Sequence, residues 1–415
     1  TYSANRFTNA LDGADTHRTP MIGEAVTFAL TEYAASGPAG RFQPADLVEP
    51  DPAGGLRLRF TAPDVAYEAT ATGIRRRRPI EVTRTLYRAD NLDGLLPLGQ
   101  LQSRALVGEF YRLAFTAGLL NKVFQRPRSG QPDEKLMPAP ATVLGGQGGD
   151  QGGYVQGATL TASGLFPVTD PNDHWWLPSG RIFFSANAAD GPAAELATAR
   201  QHFFLARRFR DPFGSNAVVD FDGDDLLMTE ARDPLGNRVM VEANDYRVLQ
   251  PRLVSDANRN RTEVVFDTLG LIVGSAVMGK AAPAPAEGDR LTGFIADLSQ
   301  AQRDAFLGAA DPRSLVPGLL QNATTRIVYD LDRFRRTRAA NPNDPDLWQP
   351  ACIATMTRET HFNVAPPPGG QKFQLGVLYS DGFTREIQRK AQAESGALSD
   401  GGPVIATRWV GSGWT

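Results

Sequence analysis

Three consecutive segments of this chain repeat one pattern, and that repeat limits the fold more than any other feature. Asp211-Pro-Phe-Gly214, Asp233-Pro-Leu-Gly236 and Asp256-Ala-Asn-Arg259 begin segments whose first residues lie 22 and then 23 positions apart. Counting from each Asp, the sixth, eighth and tenth residues are Ala217, Val219 and Phe221, then Val239, Val241 and Ala243, then Thr262, Val264 and Phe266. Between them stand Asp220, Glu242 and Glu263. A period of two belongs to a strand, with one face expected dry and the other wet. A fixed repeat of this length makes each unit bury its apolar face against its neighbours, so the body grows by accretion.

Turn chemistry sets the anatomy of one unit. Asp-Pro presets the first central residue of a tight turn, and the Gly two places after Pro accepts a positive φ. A strand of about seven residues follows, then a second turn, Asp222-Gly-Asp224 in the first unit and Thr268-Leu-Gly270 in the third. The return strands are expected at Leu226–Ala231, Tyr246–Val254 and Leu271–Val277. Pro251 must sit at a bulge or at a non-bonded position, since it has no N–H for the ladder. The structural turn residues of this reading are Asp211, Gly214, Asp233, Gly236, Asp256 and Gly270.

The run Arg208-Phe-Arg-Asp-Pro-Phe-Gly214 to Met278-Gly-Lys280, with Asp245-Tyr-Arg-Val-Leu-Gln-Pro-Arg252, resembles the YD/Rhs repeat region of TcdB/TcaC-type (TcB) subunits of insecticidal Tc toxin complexes, the SpvB/Rhs family. The resemblance extends over most of the chain: Phe7-Thr-Asn-Ala-Leu-Asp12 with Arg18-Thr-Pro20, Leu95-Leu-Pro-Leu98, Ala114-Phe-Thr-Ala-Gly-Leu-Leu120 and His174-Trp-Trp-Leu-Pro-Ser-Gly180 match the family's middle region. Tyr379-Ser-Asp-Gly-Phe383, Glu386-Ile-Gln388 and Trp409-Val-Gly-Ser-Gly-Trp414 match further on. The resemblance implies a mainly β fold, a YD/Rhs-repeat β-hairpin shell with a large curved antiparallel sheet and short helical insertions. It also implies a function: enclosing a toxic C-terminal polypeptide and passing it through a pore-forming partner. The implied partners are a TcC-type Rhs subunit or a fused C-terminal toxin domain, and a TcA-type pore-forming subunit, in a secreted complex. On this view residues 1–200 are the middle-region-like segment, 201–280 the repeats, 281–322 an insertion and 323–415 further shell strands.

Composition excludes several other classes. The 415 residues carry a net charge of −3, which gives no general attraction for nucleic acid. No apolar run of 18 residues is present to span a membrane as a helix. The single Cys352 sits in an apolar stretch and reads as a buried structural thiol. The chain begins at Thr1 without a signal-like segment, so it is expected to be a piece of a longer protein. The basic run Arg75–Arg78 leads into Ile80-Glu-Val82 and reads as a solvated strand end.

Along the rest of the chain, Ala25–Leu30 and Leu56–Phe60 are candidate strands, while Leu101–Phe124 fits helix and strand equally. Six glycines in 145–153 make a surface loop. Pro192 starts a short helix, the one clear helix of the first half. Ser299 with Gln302 forms a capping box inside the insertion. Strands are expected to resume at Thr324–Asp330 and to run to the end, broken by loops at 339–350 and 364–370.

Four groupings could carry chemistry. Gly214 and Asp233 are separated by 18 residues, which matches the aspartate-bearing motif of self-cleaving Rhs shells, with Asp211 and Asp233 as the carboxylate pair. Turn-forming aspartates are the alternative reading, favoured because more repeats follow. Asp220-Phe-Asp222-Gly-Asp224-Asp225 imitates a calcium loop, but its Gly falls one place early, so a solvated turn is expected. His17, His174, His202 and His361 lack metal-ligand spacing, and His174 reads as a packed or capping imidazole. Gly279-Lys280 and the glycine loop lack a phosphate-binding pattern. Trp175, Trp176, Phe183, Phe184, Phe203, Phe204 and Phe209 crowd into one stretch and read as a structural junction rather than a cofactor pocket. No catalytic residue, metal or cofactor follows. Besides the shell, an aspartyl autoprotease segment and a repeat-based adhesin or carbohydrate-binding module remain open.

Overall fold

The computed structural model describes residues 1–13, 16–31, 35–58, 64–70, 76–146, 152–281, 287–383 and 385–413. Arg75, the end of the Leu56–Phe60 strand, positions 147–151 of the glycine loop, 282–286 of the insertion and Trp414 lie outside the described residues. The chain divides into two units, Thr1–Val219 and Asp220–Thr415. The fold is mainly β, and no described helix is long and apolar enough to cross a membrane.

In the first unit, six strands form an antiparallel sheet in the order Tyr2–Phe7, Ile22–Thr31, Arg76–Tyr87, Val107–Phe115, Trp175–Pro178, Val155–Gln156. The undecided stretch 101–124 holds both structures. Its β-branched and aromatic half is the strand Val107–Phe115, and Thr116 then caps a helix, Ala117–Val123, by accepting the Leu119 N–H. Leu86, Tyr111, Leu160, Phe166 and Trp176 form one core cluster. Among them Arg84 is held by Glu24 and Asp170 and stacked on Phe166 and Trp176. The helix Pro192–Gln201 has Pro at its first turn, where a missing N–H costs nothing. It is not alone in this half: Pro140–Leu144 and Gly157–Ala162 are helical too, too short for a periodicity signal.

The aromatics of 175–209 do not form one junction. Trp176, Phe184 and Trp175 belong to three separate clusters, and Phe203 is 78% exposed. Crowding in sequence failed as a guide here because adjacent aromatics on a strand point to opposite faces.

A second antiparallel sheet has thirteen strands, from Arg181–Phe183 to Arg408–Gly411, each beside its sequence neighbour. The repeat strands are Asn216–Phe221, Met228–Arg232, Arg238–Asp245, Gln250–Ser255, Arg261–Phe266 and Ile272–Met278. Pro251 stands beside a register shift opposite Ala243 and Asn244, where the ladder does not need its N–H.

The expected alternation of dry and wet faces is not found in the first repeats. Ala217, Val219 and Phe221 are no more buried than their neighbours, and Val239 is 41% exposed. A strand pattern only becomes a burial pattern where another layer covers the sheet. That cover exists further on in the second unit. The insertion supplies Phe306, Val316 and Leu320, which pack with Ala323 on Val328, Cys352, Ala354, Met356, Leu375 and Val377 of the strands Thr325–Asp330, Ala351–Arg358 and Phe373–Ser380. Its helix Gln300–Leu307 begins with the Ser299/Gln302 capping box. A helix at Arg333–Ala340 was not anticipated; four arginines and no apolar stripe hid it, and ion pairs from Arg336 to Asp330 and Asp332 hold it.

Candidate functional site

The recurring feature of the chain is the turn, and an aspartate carboxylate builds it. Oδ1 of Asp233 accepts the N–H groups of Leu235 and Asn237, each at 2.9 Å. The Asp233 carbonyl accepts from Gly236, and the Asp233 N–H is returned to the Asn237 carbonyl. Gly236 takes φ 85°, the left-handed conformation that closes a tight antiparallel hairpin. Asp211 does the same with Phe213, Ser215 and Gly214 at φ 88°. Asp256 does so with Asn258 and Asn260, but the left-handed position is Arg259 at φ 67°. Asp267 repeats the arrangement with Leu269, Leu271 and Gly270 at φ 83°.

These turns are more regular than the repeat read from sequence. Asp211, Asp222, Asp233, Asp245, Asp256 and Asp267 are 11, 11, 12, 11 and 11 residues apart, and each opens a turn. The 12-residue step lies between Asp233 and Asp245, where the strand Arg238–Asp245 shifts register at 241–244; the loop that Asp245 opens has Leu249 rather than Val248 left-handed. A half-unit of eleven was legible as the Asp spacing itself, but the second turn of each unit lacks the Asp-Pro-x-Gly signature.

The chemistry proposed for these aspartates has little room. Hydrogen bonds from the Asn237 side chain and turn amides hold the Asp233 carboxyl below its usual pKa. The Asn260 amides do the same for Asp256. In the acidic run 220–225, Asp222 caps Leu226 at 2.8 Å and accepts the Tyr246 hydroxyl at 2.8 Å, so its oxygens serve the turn. Among the described residues no group of three His, Cys, Asp or Glu side chains is arranged to hold a metal.

Other candidates are structural in their geometry. His174 is half-buried, and burial lowers its pKa. His361 is tied through Nδ1 to Oδ2 of Asp289 at 3.0 Å; that fully buried carboxylate also accepts the Phe362 N–H at 2.6 Å and lies 3.8 Å from Arg358 Nε. Sequence spacing could not reveal this clasp, since 72 residues separate its two ends. Cys352 is 1% exposed, and burial raises its pKa while Arg333, 3.3 Å from Sγ, opposes the shift.

No family model matches the chain, and no curated protein does. Solved structures do. The chain is similar to the Photorhabdus luminescens Tc holotoxin pore with a substituted TccC3 (TM-score 0.57, 16% identity, 100% of this chain and 19% of that one). It is similar to TcdB2–TccC3 without its hypervariable C-terminal region (TM-score 0.55, 14% identity, 98% and 18%). A third is TcdB2–TccC3–TEV (TM-score 0.52, 15% identity, 100% and 24%). The likeness is one of fold, and this chain spans about a fifth of the length of those chains.

Proposed function

We propose that this chain is a stretch of the wall of a Tc-type toxin complex, and that the wall encloses a toxic C-terminal polypeptide. The observation that carries the reading is the likeness in fold over 98–100% of the chain to TcdB2–TccC3 and Tc holotoxin structures. The local physics supports it. A meander whose turns recur every eleven or twelve residues extends a sheet by one strand at a time, each strand satisfying the backbone of the last. An enclosing wall denies a cargo chain both partners and room to fold.

On this reading the partners are a TcC-type Rhs subunit, or a fused C-terminal part, and a TcA-type pore through which the cargo leaves the secreted complex. No side chain here is catalytic. The Asp211 and Asp233 carboxylates are each occupied by the amides of their own turns. The reading is tested by treating the assembled full-length complex with protease. Enclosure leaves the cargo intact until the wall is unfolded; digestion at the rate of free cargo overturns it. Separately, Asp233→Asn leaves the band pattern of the full-length protein unchanged, and loss of a discrete fragment in that variant would restore the autoprotease.

A further inference from the structure

In the first unit, the strands Arg181–Phe183, Arg208–Arg210 and Asn216–Phe221 pair with Arg181 opposite Arg210, Phe183 opposite Arg208 and Arg210 opposite Asn216. Alternation along the strands puts Arg181, Phe183, Arg208, Arg210 and Asn216 on one face. Arg181, Arg208, Arg210 and Asn216 line a cavity of about 700 Å³, with Phe183 behind them as a shared platform; the Arg208 guanidinium lies 3.8 Å and that of Arg210 4.9 Å from its ring centre. Arg181 is neutralised by Glu109 at 2.6 Å. The other two are not. Arg208 is only 4% exposed, yet it donates only to the neutral Asn216 Oδ1 (3.0 Å) and Ser185 carbonyl (3.3 Å). Among the described residues no carboxylate lies within ion-pair distance of Arg208 or Arg210. Asp211 at the rim spends Oδ1 on its own turn amides.

A buried guanidinium without a direct ion-pair partner is costly, and a second cation beside it adds to the cost. Burial lowers the Arg208 pKa and the neighbouring Arg210 charge adds to this, while the Glu195 and Asp190 carboxylates, beyond ion-pair distance, oppose it. We propose that this cavity is an oxyanion-binding site, in which a carboxylate or phosphate group sits between Arg208 and Arg210. Their planar forks suit either oxyanion, and stacking on Phe183 fixes them before the anion arrives. Asn216 and Ser185 position Arg208 rather than compete with the ligand. The site is independent of the enclosing role proposed above, since it needs only the first unit's side chains.

The test is isothermal titration calorimetry on the 415-residue chain at low ionic strength, with inorganic phosphate in one arm and hexaglutamate peptide in the other. Saturable binding of phosphate alone assigns a phosphorylated small molecule; tighter binding of the peptide assigns an acidic polypeptide segment. Either is expected to weaken at least tenfold in Arg210→Gln, an exposed position whose loss leaves the melting temperature unchanged. Arg200→Gln, exposed on the helix Pro192–Gln201, should leave the affinity as it was. Arg208→Met should abolish binding if it folds; if it does not, Arg210→Gln decides. No saturable heat with either probe, or equal affinity in wild type and Arg210→Gln, overturns the proposal.

Discussion

Within the second unit, two stretches of antiparallel sheet are held by different physics. The strands from Thr325 to Ser380 lie under the inserted helices and own a fully buried cluster, with Met356, Leu320 and Val316 at 0% exposure. The strands from Met228 to Ser255 have no such layer among the described residues; Val239 is 41% and Met240 43% exposed. Burial stabilises the first region, at about 1.5–3 kcal/mol for each large side chain. The second relies on its ladder and on carboxylate-built turns. Covered sheet is therefore sensitive to volume, and uncovered sheet to backbone conformation and to pH.

The largest effect should come from the covered side. Phe306→Ala is expected to destabilise by about 3–5 kcal/mol and Met356→Ala by about 2–5 kcal/mol in denaturant melts. Val241→Ala, half-buried in an uncovered strand, should cost about 1 kcal/mol or less. Equal losses would erase the distinction.

Next come the turns. Nothing stands near a Cβ added at Gly236, so Gly236→Val should cost about 1–2 kcal/mol, through its φ of 85° alone. The opposite change, Arg259→Gly, relieves a repeat turn with a bulky residue in the left-handed position, and should stabilise by about 0.5–1 kcal/mol. Wild-type melting in both would show that turn conformation does not limit this region.

Acid should act on the carboxylate-built turns. Asp233 and Asp256 have folded-state pKa values below the usual 3.8, chiefly through hydrogen bonds from Asn237 and Asn260. Their turns are thus favoured above pH 3.8 and lose that stability as pH falls through the depressed values. Amide protection factors around 233–260 should fall below pH 3.8, before those in 325–330 and 351–358 do. The smallest effect is on labelling. Burial raises the Cys352 pKa, so iodoacetamide should modify it only as fast as the covered region opens. Rapid alkylation of native protein would mean that the cover is loose.

The same contrast explains what could be read from the residues alone. Asp-Pro-x-Gly with strand alternation located the hairpins, and Ser299 with Gln302 or Pro192 located helix starts, because each acts within a few residues of itself. Burial could not be read, since Val239 and Val328 sit in similar strand patterns and differ only in what lies above them. The helix Arg333–Ala340 has no apolar stripe, and its ion pairs are invisible to periodicity. Arg208 and Arg210 stood in plain view as part of a repeat, but their meeting on one face beside Phe183 is a fact of three dimensions. Likewise Asp289 and His361 meet only because the insertion folds back.

The central claim is that strands joined every eleven or twelve residues form a wall around something else. Electron microscopy of the full-length protein tests it directly. A hollow body with the 228–411 strands in its wall is the expected result. A solid particle, with both faces of this sheet packed against protein of the same chain, would contradict it.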